Sequence, residues 1–165
     1  MHATTRRPPL FMTILTIFVM IVAGTALAQS SDDAEVGTWK LNLAKSKYKG
    51  GHAPKMATHK IESAGAGFKT TVDGVSYDGT VRHYEFTAKY DGKDNPLVGN
   101  SANGDMISFT RINATTTQAV TKHGGQVAVT MLLVVSNDAK TLTITSTGTN
   151  VFGQAVNNVS VYDRR

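Results

Sequence analysis

Residues 81–90 alternate so that Arg82, Tyr84, Phe86, Ala88 and Tyr90 fall on one side of an extended chain. Val81, His83, Glu85, Thr87 and Lys89 fall on the other. A guanidinium sharing a face with phenols and a phenyl ring suits an amphipathic anion: rings cover its body and the cation holds its head. Two placements satisfy the pattern. Arg82 can face an interior, or it can sit at a rim with its stem packed and its head in water. An ion taken from water needs a partner, which makes the rim the simpler placement. In 106–112, Ile107, Phe109 and Arg111 share one face and Met106, Ser108, Thr110 and Ile112 the other. Which of the two is inside stays open. Arg111 is a second candidate cation, and Lys122 a weaker one. In 126–135, Met131 aligns with Val127, Val129, Leu133 and Val135. The opposite side carries Leu132 and Val134, so something is expected to cover them. The candidate ligand-binding set is therefore Arg82, Tyr84, Phe86, Phe109, Arg111 and Met131.

Other chemistries lack their residues. The chain has no cysteine, which removes thiol nucleophiles and disulfides. No Gly-x-Ser-x-Gly elbow and no Gly-x-x-x-x-Gly-Lys phosphate loop occurs. His52, His59, His83 and His123 lie on separate segments, with no spacing that brings two imidazoles to one metal. The run Asp91-Gly92-Lys93-Asp94 lacks the further acidic ligands of a calcium loop and reads as a hairpin. Glu62 and Glu85 have no reason to meet as an acid–base pair. No enzyme, metal site or cofactor is expected. The formal net charge is +5, with Arg6 and Arg7 in the leader, which is too weak to argue for nucleic acid.

The elements that must position these residues are strands. Val and Thr abound, and branching at Cβ favours a pleated surface. Asp73-Gly74, Asp78-Gly79, Asp91-Gly92, Asn103-Gly104 and Gly124-Gly125 punctuate the chain with turn chemistry. The expected strands are 36–42, 58–64, 67–73, 75–78, 81–90, 96–99, 106–112, 116–123, 126–135, 141–148 and 156–163. The fourth and sixth are weak, leaving about eight to ten. Residues 43–57 form the one long connection, with room for a helical turn or two before Gly50-Gly51 and Pro54. Short strands joined by tight turns protect their edges by closing into an antiparallel up-and-down barrel. An aligned sandwich fits the same pattern.

Residues 1–28 have the form of a cleaved export signal. Arg6 and Arg7 precede an apolar stretch from Leu10 to Ala23, and Ala26-Leu27-Ala28 ends it. The stretch is shorter than the roughly 20 residues of a spanning helix. Cleavage after Ala28 is expected, giving a secreted or periplasmic protein with no membrane span. Residues 29–35 read as a flexible lead-in, and 36–165 as one barrel domain.

Gly37-Thr38-Trp39-Lys40-Leu41 opens the first strand, and Val159-Ser160-Val161-Tyr162-Asp163-Arg164 closes the last. This pairing resembles the calycins, which comprise the lipocalins and the intracellular fatty-acid-binding proteins. More closely, the chain resembles small secreted lipocalin-like proteins of bacteria, through Gly37 to Tyr48, the Tyr90-Asp91-Gly92-Lys93 hairpin and Gly148 to Tyr162. The resemblance implies an all-β barrel with Trp39 plugging its closed end and Arg164 lying across the indole, with Arg165, or no partner at all if the tail frays, as the alternatives. Two departures stand out. Ser160 occupies the position where fatty-acid-binding proteins carry an arginine for the ligand carboxylate. Residues 43–57 are also too short for their pair of lid helices. The resemblance implies a carrier of a small hydrophobic or amphipathic ligand. The alternative is a scaffold with a filled core that acts through its outer surface, with weak self-association through 126–135.

Overall fold

Turn chemistry decides where this chain folds back. Gly124 and Gly125 both take positive φ, 57° and 82°, and join strands paired at His123 and Gln126. Two consecutive left-handed residues make the hairpin turn whose twist matches its strands. The computed structural model describes His2 and residues 33–49 and 51–165. The expected export signal (apart from His2) and residues 29–32 lie outside the described residues. Residues Ser31–Arg165 form one compact unit.

The strands of that unit are β1 (Gly37–Leu41), β2 (Lys47–Tyr48), β3 (Met56–Ala64), β4 (Gly67–Val75), β5 (Val81–Ala88), β6 (Asn95–Pro96), β7 (Val98–Gly99), β8 (Met106–Asn113), β9 (Thr116–His123), β10 (Gln126–Val135), β11 (Thr141–Thr149) and β12 (Ala155–Arg164). They form a single 12-stranded sheet in the order β6-β8-β9-β10-β11-β12-β1-β3-β4-β5-β7, with β2 paired to β12 off this path. Every pairing is antiparallel. The first long strand lies beside the last, with Trp39 opposite Arg164. On the far side, residues 95–99 bridge the gap between β5 and β8. Asn95 and Pro96 pair with β8, while Val98 and Gly99 pair with β5. The result is a nearly closed antiparallel barrel rather than a two-sheet sandwich.

The inward faces make the core. Phe68, Phe86 and Phe109 are almost fully buried. Phe86 stacks on Phe109 at 5.4 Å, Phe68 stacks on Tyr90 at 4.8 Å, and Phe68 meets Phe109 edge-on at 5.0 Å. Such pairs add about 0.5–1.5 kcal/mol each beyond the area they bury. Ile107 and Phe109 settle the inner face of β8, both being buried.

Several expectations are corrected. Residues 75–78 are not a strand: Val75 ends β4, and a turn follows in which Asp78 accepts from the Thr80 amide at 2.9 Å. Residues 96–99 are not one strand but two short pairings on opposite sides of Leu97. The strand over 81–90 stops at Ala88. Residues 43–57 hold a single 3-10 turn, Leu43–Lys45, capped by the Asn42 side chain. A bulge between Val127 and Val129 turns Val127 outward, where it is 63% exposed. An extra residue on one strand shifts the alternation by one, so the inward set begins at Val129. Leu132, expected to be covered, is 40% exposed. Residues 33–35 are packed rather than flexible, with Glu35 only 1% exposed. Among the described residues, no helix is long and apolar enough to cross a membrane.

Candidate functional site

The barrel has a sealed end and an open one. At the sealed end Trp39 is fully buried and donates from its indole to the Glu35 carbonyl at 2.8 Å. The Arg164 guanidinium lies 4.2 Å from the Trp39 ring. It also donates to the carbonyls of Ala34, Val36 and Ala139. One arginine thus satisfies three partly buried loop carbonyls and covers the indole face.

A second arginine completes the seal. Arg111 donates to Asp33 at 2.7 Å and to Glu35 at 3.2 Å, and its guanidinium sits 3.5 Å over the Tyr90 ring. The Tyr90 hydroxyl donates to Asp33, and the Thr117 hydroxyl donates to Glu35. Arg111 lines neither cavity of the barrel. This corrects its expected role as a ligand cation. Two carboxylates from residues 33–35 occupy its donors first, and a buried ion pair of that kind leaves no free charge for a ligand.

Above the seal the interior widens. A small space of about 50 Å³ lies at the floor, lined by Phe68, Phe86, Phe109, Thr70 and Glu35 among others. A larger space of about 640 Å³ opens above it. Both share His59, Val72, Tyr84, Asn103, Met131 and Ile144 in their walls, so the two spaces adjoin across these side chains. Tyr84 and Met131 face both spaces, whereas Phe86 and Phe109 face only the floor. Arg82 lies in the wall of the larger space. Its donors reach Ser76 Oγ at 3.0 Å and the Asn100 carbonyl at 3.4 Å, and its guanidinium is 5.4 Å from the exposed Phe152 ring. Nearby, His52 stacks on Tyr77 at 4.2 Å.

The wall of the larger space also carries neutral polar groups outside the expected ligand-binding set. Tyr48, His59, Asn158, Ser160 and Tyr162 face it together with Tyr84. Tyr48 Oη and Ser160 Oγ are 3.1 Å apart. The His59 ring lies 4.7 Å from that of Tyr162. Burial holds His59 neutral, with its pKa lowered to about 4; the surface it keeps faces the cavity. Burial raises the Tyr84 phenol to about 12. The Tyr162 phenol is raised by burial and then by the Tyr48 and Tyr84 phenols beside it. Tyr48 is raised for the same first reason. This wall therefore offers uncharged donors and acceptors. The Asn158 Oδ1 atom is buried without a partner. Strand parity held the signal, since Asn158, Ser160 and Tyr162 alternate onto one face of β12. Polar residues in such a row read as solvent-facing when the end of the barrel they line is unknown.

No protein-family model and no curated protein matches the chain. Among solved structures, it is similar to the zebrafish ileal bile acid-binding protein in complex with cholic acid. The two are 15% identical, the match covers 80% of this chain and 99% of that one, and the TM-score is 0.48. A likeness at that level carries no ligand or site from one protein to the other.

Proposed function

We propose that this barrel binds a small amphipathic molecule non-covalently in its interior. The ligand is apolar along most of its length and bears neutral hydrogen-bonding groups. The observation that carries this reading is the open space of about 640 Å³ above a sealed floor. It falls within the roughly 300–1,000 Å³ of typical ligand sites. Val72, Met131 and Ile144 supply apolar wall, and the Tyr48–Tyr84–Tyr162 group supplies orientation. The same groups argue against catalysis. Proton shuttles work with pKa values near the operating pH, whereas His59 at about 4 and Tyr84 at about 12 are tuned away from it. An open interior also favours a carrier over a filled-core scaffold.

Displacement of anilinonaphthalene sulfonate by n-decanol, checked by calorimetry, tests the reading. Saturable one-to-one binding is expected, with Tyr84→Phe weakening it roughly 3- to 10-fold through a lost hydrogen bond. No saturable binding of either compound would overturn it.

The arrangement of residues 1–28 supports export, with removal of the leader after Ala28. Mass spectrometry of the protein from the periplasm or culture medium should then show Gln29, or its cyclised form, at the amino terminus. Intact Met1 on the soluble protein would refute this. The outward apolar residues Val127 and Leu132 of β10 leave weak self-association as a second use of the surface. Sedimentation at rising concentration measures it directly.

A further inference from the structure

Two buried oxygens at the barrel floor have no hydrogen-bond partner: Glu35 Oε2 and Thr70 Oγ1. Both residues are almost completely buried, at 1% and 2% exposure. Both line the floor space of about 50 Å³. They come from unrelated parts of the chain, one from the segment before β1 and one from the middle of β4. Native interiors rarely leave such atoms unpaired, because each costs about what a lost hydrogen bond costs. The surrounding wall is otherwise largely apolar, with Phe68, Phe86, Ile107 and Phe109 prominent in it.

We infer that the floor is a second polar subsite, which takes a neutral hydroxyl group from the deep end of the ligand. The inference rests on the ligand-binding reading and narrows it, because a ligand matching both regions carries hydroxyl groups at both ends of an apolar body.

The chemistry selects a hydroxyl over other groups. Glu35 Oε1 is already engaged by Arg111 and Thr117, so only Oε2 faces the ligand. If the carboxyl is protonated, Oε2 donates; if it is ionised, Oε2 accepts. Burial pushes the Glu35 carboxyl toward the protonated form, against the pull of Thr117 and Arg111. A hydroxyl satisfies either state, since it both donates and accepts. Thr70 also carries a hydroxyl and makes the same two-way offer. A carboxylate fits poorly there. The Glu35 carboxyl already lines the floor, and the Arg111 charge is already paired with it and with Asp33. An unsubstituted methyl end would leave both oxygens unpartnered. A space of about 50 Å³ also admits water, which needs about 10–15 Å³ of such volume. Water is therefore the competitor that the ligand must displace.

The test compares n-decanol with α,ω-decanediol on the full mature protein by calorimetry. Burying a second hydroxyl without a partner would weaken the diol by roughly 10-fold or more. With the floor subsite in place, the diol should bind within roughly 3-fold of n-decanol, or tighter. Thr70→Val keeps the shape and removes one oxygen. It should weaken the diol roughly 5- to 20-fold while moving n-decanol less than about 2-fold. Thr70→Ser, which restores the hydroxyl, should return the diol to its original affinity. A diol more than about 10-fold weaker than n-decanol on the unaltered protein overturns the subsite, and this comparison needs no variant to fold. Equal loss of both alcohols in Thr70→Val also overturns it. If neither alcohol binds and anilinonaphthalene sulfonate does not bind either, the ligand-binding reading fails and the subsite with it.

Discussion

The floor and the mouth of this barrel use polar residues in opposite ways. At the floor, Arg164 and Arg111 direct five hydrogen bonds to carbonyls and carboxylates of the chain itself. At the mouth, Tyr48, Tyr84, Tyr162 and His59 form a wall of neutral groups with few partners among themselves. The floor pairs its charges within the protein, whereas the mouth, apart from Arg82 and Asp78 in its wall, offers uncharged hydrogen-bonding capacity where a guest would enter. The comparison shows that a cation inside a barrel is weak evidence for an anionic ligand. Arg111 is inside and belongs to the seal.

If the floor is structural, its variants should be the costliest. Trp39→Ala removes a large, fully buried side chain and should destabilise the protein by about 3–5 kcal/mol in urea unfolding. A loss below about 1 kcal/mol would mean that the indole does not plug the barrel. Arg111→Met leaves Asp33 and Glu35 facing each other without a counter-ion. About 3 kcal/mol is expected, the low end for a buried pair, because a quarter of the arginine side chain reaches solvent. Its affinity for n-decanol, measured below the unfolding transition, should be unchanged. A selective loss of binding would move Arg111 from the seal to the site.

His59 tests the mouth. Its pKa falls from 6.5 in the unfolded chain to about 4 in the barrel. Between those values the unfolded chain binds the proton and the folded one does not, so stability falls as the pH drops from 6.5 to about 4. Glu35 opposes this. Its carboxyl is raised above 4.5, so the folded state takes up that proton first and gains stability as the pH falls toward 4.5. Denaturant melts at several pH values, made with His59→Gln and Glu35→Gln, separate the two slopes. His59→Gln should remove the loss toward acid pH, and Glu35→Gln should steepen it.

The smallest effect is expected at Arg82. Its contacts to Ser76 and Asn100 and its place in the cavity wall near Phe152 make it a partly solvated cation. Arg82→Gln should weaken decanoate by roughly 3-fold and leave n-decanol unaltered. A loss of roughly 100-fold for decanoate would mean that the guanidinium turns inward when an anion binds.

Much of the frame was legible from local pattern, and the site was legible only in part. The alternation in 81–90 correctly joined Arg82, Tyr84, Phe86 and Ala88 on the inner face, because period two is a property of the strand alone. The Val127 bulge was not legible. It depends on a partner strand, and Gly148 of β11 makes room for it, since a Cβ there would collide with the Ala128 carbonyl. Glu35 was missed for a related reason. Residues 33–35 look like a solvated lead-in, and their partner Arg111 stands 76–78 positions further on. No local period reports an ion pair at that distance.

The seam between β1 and β12 has a kinetic consequence. Arg164 reaches back to Val36 across 128 residues, and Trp39 finds its cover only when the carboxy-terminal strand arrives. Contacts between such distant segments form late, because the loop entropy is lost before the contact returns anything. The hairpins from β3 to β5 and from β8 to β12 can form locally, but the plug must wait for β12 to reach β1. A ribosome-bound chain lacking Arg164 is therefore an open sheet with an uncovered tryptophan. Trp39 fluorescence, the chain's sole indole signal, reports the final closing step of folding rather than the first collapse.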